Sequence, residues 1–423
     1  MKRKIAALTF MILSLSSISG KDFSEYYSSW SSMFGIDPSS GIYSFLILRI
    51  PSGGKYEGMG TAFTAVAIDS SFIESNPAAS SLVDNTELSF LHNNWINDVN
   101  IESVIFATRI GNIGMGLAGK MMYLPFTGVD EYGDRYSNDY TEDYSLGYYW
   151  EAIGTANFSY NFLKSFYFDG ISVGANFKFG YRNVPYSIAT GQSAIALMGD
   201  FGVITRFNFL KPYFSRDKNF SLGFSFKNIG TEILISPSSA DSPIDPLPAL
   251  FSAGLAYSPF RPLILTFDFN YPLPIQTTDP EKFYFAVGMN LTLTNFLSMQ
   301  SGVLLKTGQP RLVIGTALEL KKVDFVVNYT LDLVTQFDEL DRISLEVRIN
   351  LGDYGRKDRE ERAEVLYIEG LKLYAEGDFR AAIKKWEECL ELIPIFTPAK
   401  EMIETATNSF QLQEEMLERQ TAE

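Results

Sequence analysis

Residues 342 to 351 alternate without a break: Ile343, Leu345, Val347, Ile349 and Leu351 share one face, and Arg342, Ser344, Glu346, Arg348 and Asn350 share the other. Successive side chains of a strand point to opposite faces, so this period of two specifies a strand with one apolar and one polar side. The pattern returns in Ile171, Val173, Ala175, Phe177, Phe179 and Tyr181 against Ser172, Asn176, Lys178 and Arg182, and again over Leu263 to Tyr271 and Val323 to Leu333. Segments near 86–93, 101–110, 113–122, 151–162, 170–182, 193–208, 219–229, 249–258, 262–270, 282–293, 296–306, 311–320, 323–333 and 341–351 are read as strands. They number about fourteen and are mostly about ten residues long, the length a tilted strand needs to cross hydrocarbon.

A water-soluble barrel or sandwich alternates in the same way, so loop lengths have to discriminate. On one side the connections are short, as at Gly111-Asn112, Thr294-Asn295 and Lys321-Lys322. On the other they are long: Leu124 to Trp150, Asn183 to Gly191, Gly230 to Pro248, Pro272 to Glu281 and Val334 to Leu340. Two links on that side, near Ile96 to Asn100 and Thr307 to Pro310, are shorter. Short periplasmic turns and long external loops are the habit of outer-membrane barrels. Composition agrees, with 20 % charged residues, 14 % aromatics and 32 glycines. The expected fold is mainly β, an antiparallel transmembrane β-barrel of about 14 strands over residues 86–351.

The N-terminus fits an exported chain. Lys2-Arg3-Lys4, the apolar Ile5 to Leu15 and the small Ser16, Ser17, Ser19 and Gly20 read as a secretory signal peptide over residues 1–20. Its apolar run is short of the roughly 20 residues a transmembrane helix needs. Cys389 is the one cysteine, which rules out an intrachain disulfide framework, and the formal net charge of -15 speaks against a nucleic-acid partner.

Between export signal and barrel, residues 21–85 end in an irregular stretch, Gly58 to Leu82. It pairs a small-residue, helix-competent run, Thr61 to Ile68, with a hydroxyl-rich turn closed by Asn76-Pro77-Ala78, where proline stops a helix. This is the character of a plug or hatch inside the barrel.

After Leu351 the composition changes. Gly352-Asp353-Tyr354-Gly355 breaks the strand, and residues 352–423 are charged and helical in pattern. From Ala363 the chain resembles a tetratricopeptide repeat: Leu366, Gly370, Leu373, Ala382, Trp386, Cys389 and Pro394 occupy its packing positions, although Glu369 stands where the repeat usually has leucine. Gly370 and Ala382 let two antiparallel helices approach, and a third helix from about Pro398 to Arg419, capped by Thr397, would cover them. One repeat is too few for a solenoid, so this small all-α, tetratricopeptide-like domain is expected to lean on the periplasmic rim or to recruit a periplasmic protein partner.

Little in the chain suggests catalysis. His92 is the one histidine, with no nucleophile placed by pattern beside it, so it reads as a rim or lumen residue and the chain as no enzyme. Gly53-Gly54-Lys55 lacks the spacing of a phosphate loop. The acidic run Val129 to Asp143 clusters hard oxygen ligands that could hold calcium, but without the ordered spacing of a calcium loop it reads as a solvated loop. The loop around Ile233-Leu234-Ile235 is apolar, either a collecting patch or a packed lid. No cofactor and no metal site is expected.

Taken together, Gly58-Met59-Gly60-Thr61-Ala62-Phe63-Thr64-Ala65-Val66-Ala67, Ser75-Asn76-Pro77-Ala78-Ala79 and the barrel of about fourteen strands resemble the FadL family of outer-membrane transporters for long-chain fatty acids and other hydrophobic compounds. The resemblance covers about residues 50–351. It implies an N-terminal hatch with Asn76, Pro77 and Ala78 as gating residues, a hydrophobic site above it, and passive, hatch-gated uptake, with release by hatch rearrangement or through a lateral opening in the wall. Phe63, Val66, Phe72 and Ile73 are the candidate apolar ligand contacts, with packing of the plug as the competing role. The chain departs from the family in ending its barrel internally at Leu351 and in carrying the helical tail. The alternative function is a FadL-like scaffold whose tail residues Leu366, Gly370, Leu373, Ala382 and Trp386 form the partner-binding module.

Overall fold

The computed structural model describes residues 37, 39, 41–95, 99–127, 145–186, 189–215, 217–235, 245–275, 277, 280–333 and 341–421. The signal-peptide region, 1–20, and the acidic run, 129–143, lie outside the described residues.

Fourteen strands among the described residues form a closed barrel. They are β1 (Thr86–Asn94), β2 (Asn100–Ile110), β3 (Ile113–Thr127), β4 (Ser145–Phe162), β5 (Ile171–Asn183), β6 (Ala194–Phe207) and β7 (Phe220–Leu234), then β8 (Leu250–Phe260), β9 (Leu263–Pro272), β10 (Tyr284–Thr294), β11 (Leu297–Leu305), β12 (Arg311–Glu319), β13 (Val323–Asp332) and β14 (Arg342–Gly352). Each strand pairs antiparallel with its sequence neighbours, and β14 closes on β1 with Phe90 opposite Val347.

The direction of the alternation decides between soluble and membrane barrels. Ile343 and Leu345 are 50 % and 44 % exposed on the outside, whereas Glu346 and Arg348 are 1 % and 2 % exposed on the inside. Phe177 and Phe179 likewise face out, while Asn176 and Lys178 face in and are buried. An apolar exterior around a charged interior is inverted for water and correct for lipid. The barrel is of the outer-membrane type.

Three strands run well beyond their sequence-predicted ends. β3 and β4 continue to Thr127 and from Ser145, and β7 reaches Leu234. The apolar loop expected around Ile233 is therefore strand: Ile233 and Leu234 pair with Ile195 and Ala194, and Leu234 packs on the cluster around Phe45 and Ile47.

The described residues before β1, 41–85, sit inside the barrel. Among them are one short helix, α1 (Gly54–Gly58), and three 3₁₀ turns, Leu46–Arg49, Ser70–Glu74 and Pro77–Ser81. Thr61 to Ile68 is not helical, contrary to the propensity of its small residues. Tertiary bonds explain the difference: the Asp268 carboxylate on β9 accepts from the Phe63 and Thr64 amides at 2.9 Å each, and the Thr64 carbonyl accepts from Asn76 Nδ2 at 2.8 Å. These backbone groups are spent across the lumen and cannot close a helical turn.

At the end with the short turns, three helices follow the barrel: α2 (Arg356–Ala375), α3 (Phe379–Leu392) and α4 (Thr397–Thr421). Their core joins Ala363, Ala382, Trp386, Cys389, Phe396, Ala399 and Ala406, with Leu366 and Leu373 partly buried against it. Gly370 is required by close approach, since a Cβ there would strike the Trp386 indole, which donates to the Tyr367 carbonyl at 3.1 Å. Burial pushes the Cys389 thiol up to about 11. Asp378 caps α3 by accepting from the Ala381 amide at 3.1 Å. The Thr397 hydroxyl, expected to cap the last helix, donates back to the Ile395 carbonyl instead.

The elbow from β14 to α2 is set by Asp353, whose carboxylate accepts from the Gly355 and Lys357 amides at 3.0 and 2.8 Å. These bonds hold its pKa below the usual carboxylate range. A depressed folded pKa stabilises above the unfolded value of about 4 and is lost as pH falls through the folded value. The start of α2 is therefore expected to keep the same hydrogen-exchange protection from pH 8 to pH 5 and to lose it only below about pH 4. Loss near neutrality would contradict this capping role.

Candidate functional site

The plug meets the wall backbone to backbone. A Cβ on Gly302 of β11 would overlap the Gly60 amide, and one on Gly202 of β6 would overlap the Asn76 side chain. Gly114, Gly174 and Gly223 are occluded in the same way by Ser80-Ser81, Pro77 and Thr64. Inward-facing glycines thus form a cradle around the lumen. Sequence reading missed it, although the signal was present: Gly174 interrupts the polar face of β5 between Ser172 and Asn176.

Asn76, Pro77 and Ala78 form the fastening of the plug to β4 through β7. Asn76 Oδ1 accepts from the Ala78 amide at 3.1 Å and caps the 3₁₀ turn that Pro77 opens. Its Nδ2 donates to the Thr64, Phe224 and Val203 carbonyls at 2.8, 3.2 and 3.3 Å. The Pro77 carbonyl accepts from Asn157 at 3.0 Å and the Ala78 carbonyl from Ser172 at 2.5 Å. One asparagine thereby holds two plug segments and two strands together.

Buried ion pairs tie the remaining perimeter. Glu57 of α1 receives Arg342 Nε at 3.1 Å and the Thr330 hydroxyl at 3.0 Å. Asp69 receives Arg348 at 2.8 Å, and the same guanidinium contacts Glu346, Asp324 and Glu87 at 2.9, 3.6 and 3.7 Å. Glu74 pairs with Lys120 at 3.0 Å.

Above the plug, toward the long loops, lies a cavity of about 400 Å³. Leu48, Ile50, Tyr56, Trp95, Ile153 and Tyr284 give it aliphatic and aromatic surface. Of the four expected ligand contacts, only Ile73 lines it. Phe63 and Val66 are buried against Met59 and Ala256, with Phe63 edge-on to Tyr56 at 6.0 Å, and Phe72 packs with Ala78, Leu82 and Ile105. These three fill the plug and do not reach the cavity. His92 lies on the outer face of β1, neither in the lumen nor beside a nucleophile, paired with Glu102 at 2.8 Å.

The cavity also carries cations. Lys178 is paired with Asp200 at 2.7 Å, and Arg49 and Lys306 share Glu281 at 2.6 and 2.7 Å. Lys227 differs. A register shift where β6 meets β7 turns both Lys227 and Asn228 inward, Asn228 adopting φ +57° and donating its amide to Asp200 at 2.7 Å. Lys227 is 8 % exposed, lines the cavity, and has no hydrogen-bond or ion-pair partner among the described residues. No local sequence window could have picked it out, because the shift that aims it depends on the facing strand.

Comparison with known proteins follows the barrel closely. Residues 33–354 match the profile of the uncharacterised protein family UPF0164. The chain belongs to the UPF0164 family. Two UPF0164 proteins of Treponema pallidum (strain Nichols) are 28 % and 25 % identical to it, each over 378 residues. Those alignments take in 88 % and 86 % of this chain and 84 % and 75 % of the relatives. Among solved structures, the P. putida toluene transporter TodX aligns with 71 % of this chain and 99 % of its own at 12 % identity and a TM-score of 0.46. The UPF0164 match stops at the elbow, leaving α2 to α4 beyond it.

Proposed function

We propose that this UPF0164 barrel is an outer-membrane channel that takes up hydrophobic molecules carrying an anionic head, long-chain fatty acids foremost, by passive diffusion past a movable plug. The observation that carries this reading is Lys227, a buried lysine without an ion-pair partner among the described residues, facing a cavity whose aromatic and aliphatic surface is interspersed with ion pairs. The Lys227 ammonium opens onto the cavity rather than onto a protein carboxylate, and a carboxylate on an apolar chain would supply a partner while its tail takes the Tyr56, Trp95 and Tyr284 surface. Asn76, Pro77 and Ala78 act as the gate's fastening in this reading, since passage requires the plug to leave the wall there. The short turns then face the periplasm, and the tetratricopeptide-like α2 to α4 lie in that compartment.

The test is binding of a fluorescent fatty acid to the purified full-length protein. Lys227→Met is expected to weaken binding about tenfold or more, the usual worth of a hydrogen bond to a charged group, and to leave a neutral hydrocarbon of equal length unaffected. Absence of fatty-acid binding by the unmodified protein would sink the proposal. Equal loss for both probes would remove Lys227 as head-group partner.

A further inference from the structure

The plug's last residues meet the helical module at the seam of the barrel. Arg356, the first residue of α2, donates to the Asp84 carbonyl at 2.5 Å and to the Val83 carbonyl at 3.4 Å, and its guanidinium pairs with the Asp84 carboxylate at 3.3 Å. Arg109 of β2 donates to the same Val83 carbonyl at 3.3 Å. Val83 is buried in the plug's own apolar cluster with Ala79 and Leu82, directly after the Pro77–Ser81 turn.

Arg356 is held at this spot by a stiff elbow. Between β14 and α2 the chain passes through Gly352, Tyr354 and Gly355 at φ +98°, +56° and +69°, and Asp353 bonds two amides of the turn. The module has a second seat: Phe166, from the turn between β4 and β5, enters its core 4.7 Å from the Phe396 ring, which lies 5.3 Å from Tyr367. A domain tethered only by its covalent link would need neither contact.

We propose that the helical module is an autoinhibitory latch on the plug, holding Val83-Asp84 in place through Arg356 while Phe166 keeps the module seated. The Arg356 to Asp84 contact is partly solvent-exposed, with the Asp84 side chain 68 % exposed. Exposed ion pairs contribute little net stability, so the latch can open without unfolding either part. Lifting α2 frees the plug's exit end and, through it, the Pro77–Ser81 turn. The inference extends the gating reading above, but its readout does not depend on any ligand.

Hydrogen exchange on the full-length protein in nanodiscs tests it. Arg356→Ala is expected to speed exchange over residues 77–85 by about fivefold or more, as a local opening, with β1 and β14 unchanged and Arg356→Lys intermediate. Phe166→Ala should speed the same residues while leaving Trp386 fluorescence native. Unchanged exchange over 77–85 in both variants, or an equal rise in β1, would overturn the latch. Should the exchange respond while no fatty acid binds, the latch stands and the transport reading falls.

Discussion

Arg348→Met is expected to lower the stability of the barrel by about 3–5 kcal/mol, the usual result of removing one partner from a buried ion cluster. Four carboxylates, Asp69, Glu87, Asp324 and Glu346, lie within 3.7 Å of this guanidinium. Methionine of similar length would leave the four carboxylates facing one another without the one guanidinium that all of them contact. Asp69 belongs to the plug and the other three to the wall, so the defect should appear twice: as a lower midpoint for thermal loss of strand signal in detergent, and as a raised open-channel current from a plug no longer held at Asp69. A thermal midpoint equal to that of the unmodified protein would show that the cluster is not the tie the geometry describes.

Gly302→Val should leave the barrel closed and its plug unseated. Overpacking a core typically costs about 1–3 kcal/mol where side chains can shift, but here the new Cβ would meet the Gly60 backbone, which cannot rotate away. The plug is the weaker partner, because the wall is fixed by strand pairing on both edges of β11, with Gly302 opposite Gly288 on one side and Val313 on the other. Planar-bilayer recording should therefore show large steady conductance for Gly302→Val and little for the unmodified protein. Gly119→Val supplies the control: a Cβ at Gly119 meets open space, so its conductance should stay low. Low conductance from Gly302→Val would mean that the plug tolerates a displaced seat.

The wall was legible in the sequence because each wall residue faces either lipid or lumen, and β14 shows both demands without interruption from Arg342 to Leu351. Legibility failed where the backbone left that rule. The extra inward residue at Lys227-Asn228 reverses the phase of β7, so Gly230 to Leu234 looked like loop. The plug is legible as irregular and hydroxyl-rich, yet its helix-competent run from Thr61 stays non-helical because the deciding carboxylate, Asp268, lies far along the chain. Phe63 and Phe72 show a different limit: a sequence marks them as apolar, and only packing separates plug filler from ligand contact. The cavity cations come from the plug, at Arg49, and from positions scattered around the wall, at Lys178, Lys227 and Lys306, which no local pattern brings together.

The seam between β1 and β14 also has a history in time. The plug precedes β1 in the chain, leaves the lumen at Val83-Asp84 beside that seam, and is enclosed on every side once Phe90 meets Val347. Pairings between the two ends of a chain form late, after the shorter-range hairpins. A barrel that closes the β1–β14 seam last would curl as an open sheet around a plug already laid along its inner face, with the glycine cradle as the surface that receives it. Closure of the first and last strands then seals the plug against an inner face that already fits its backbone.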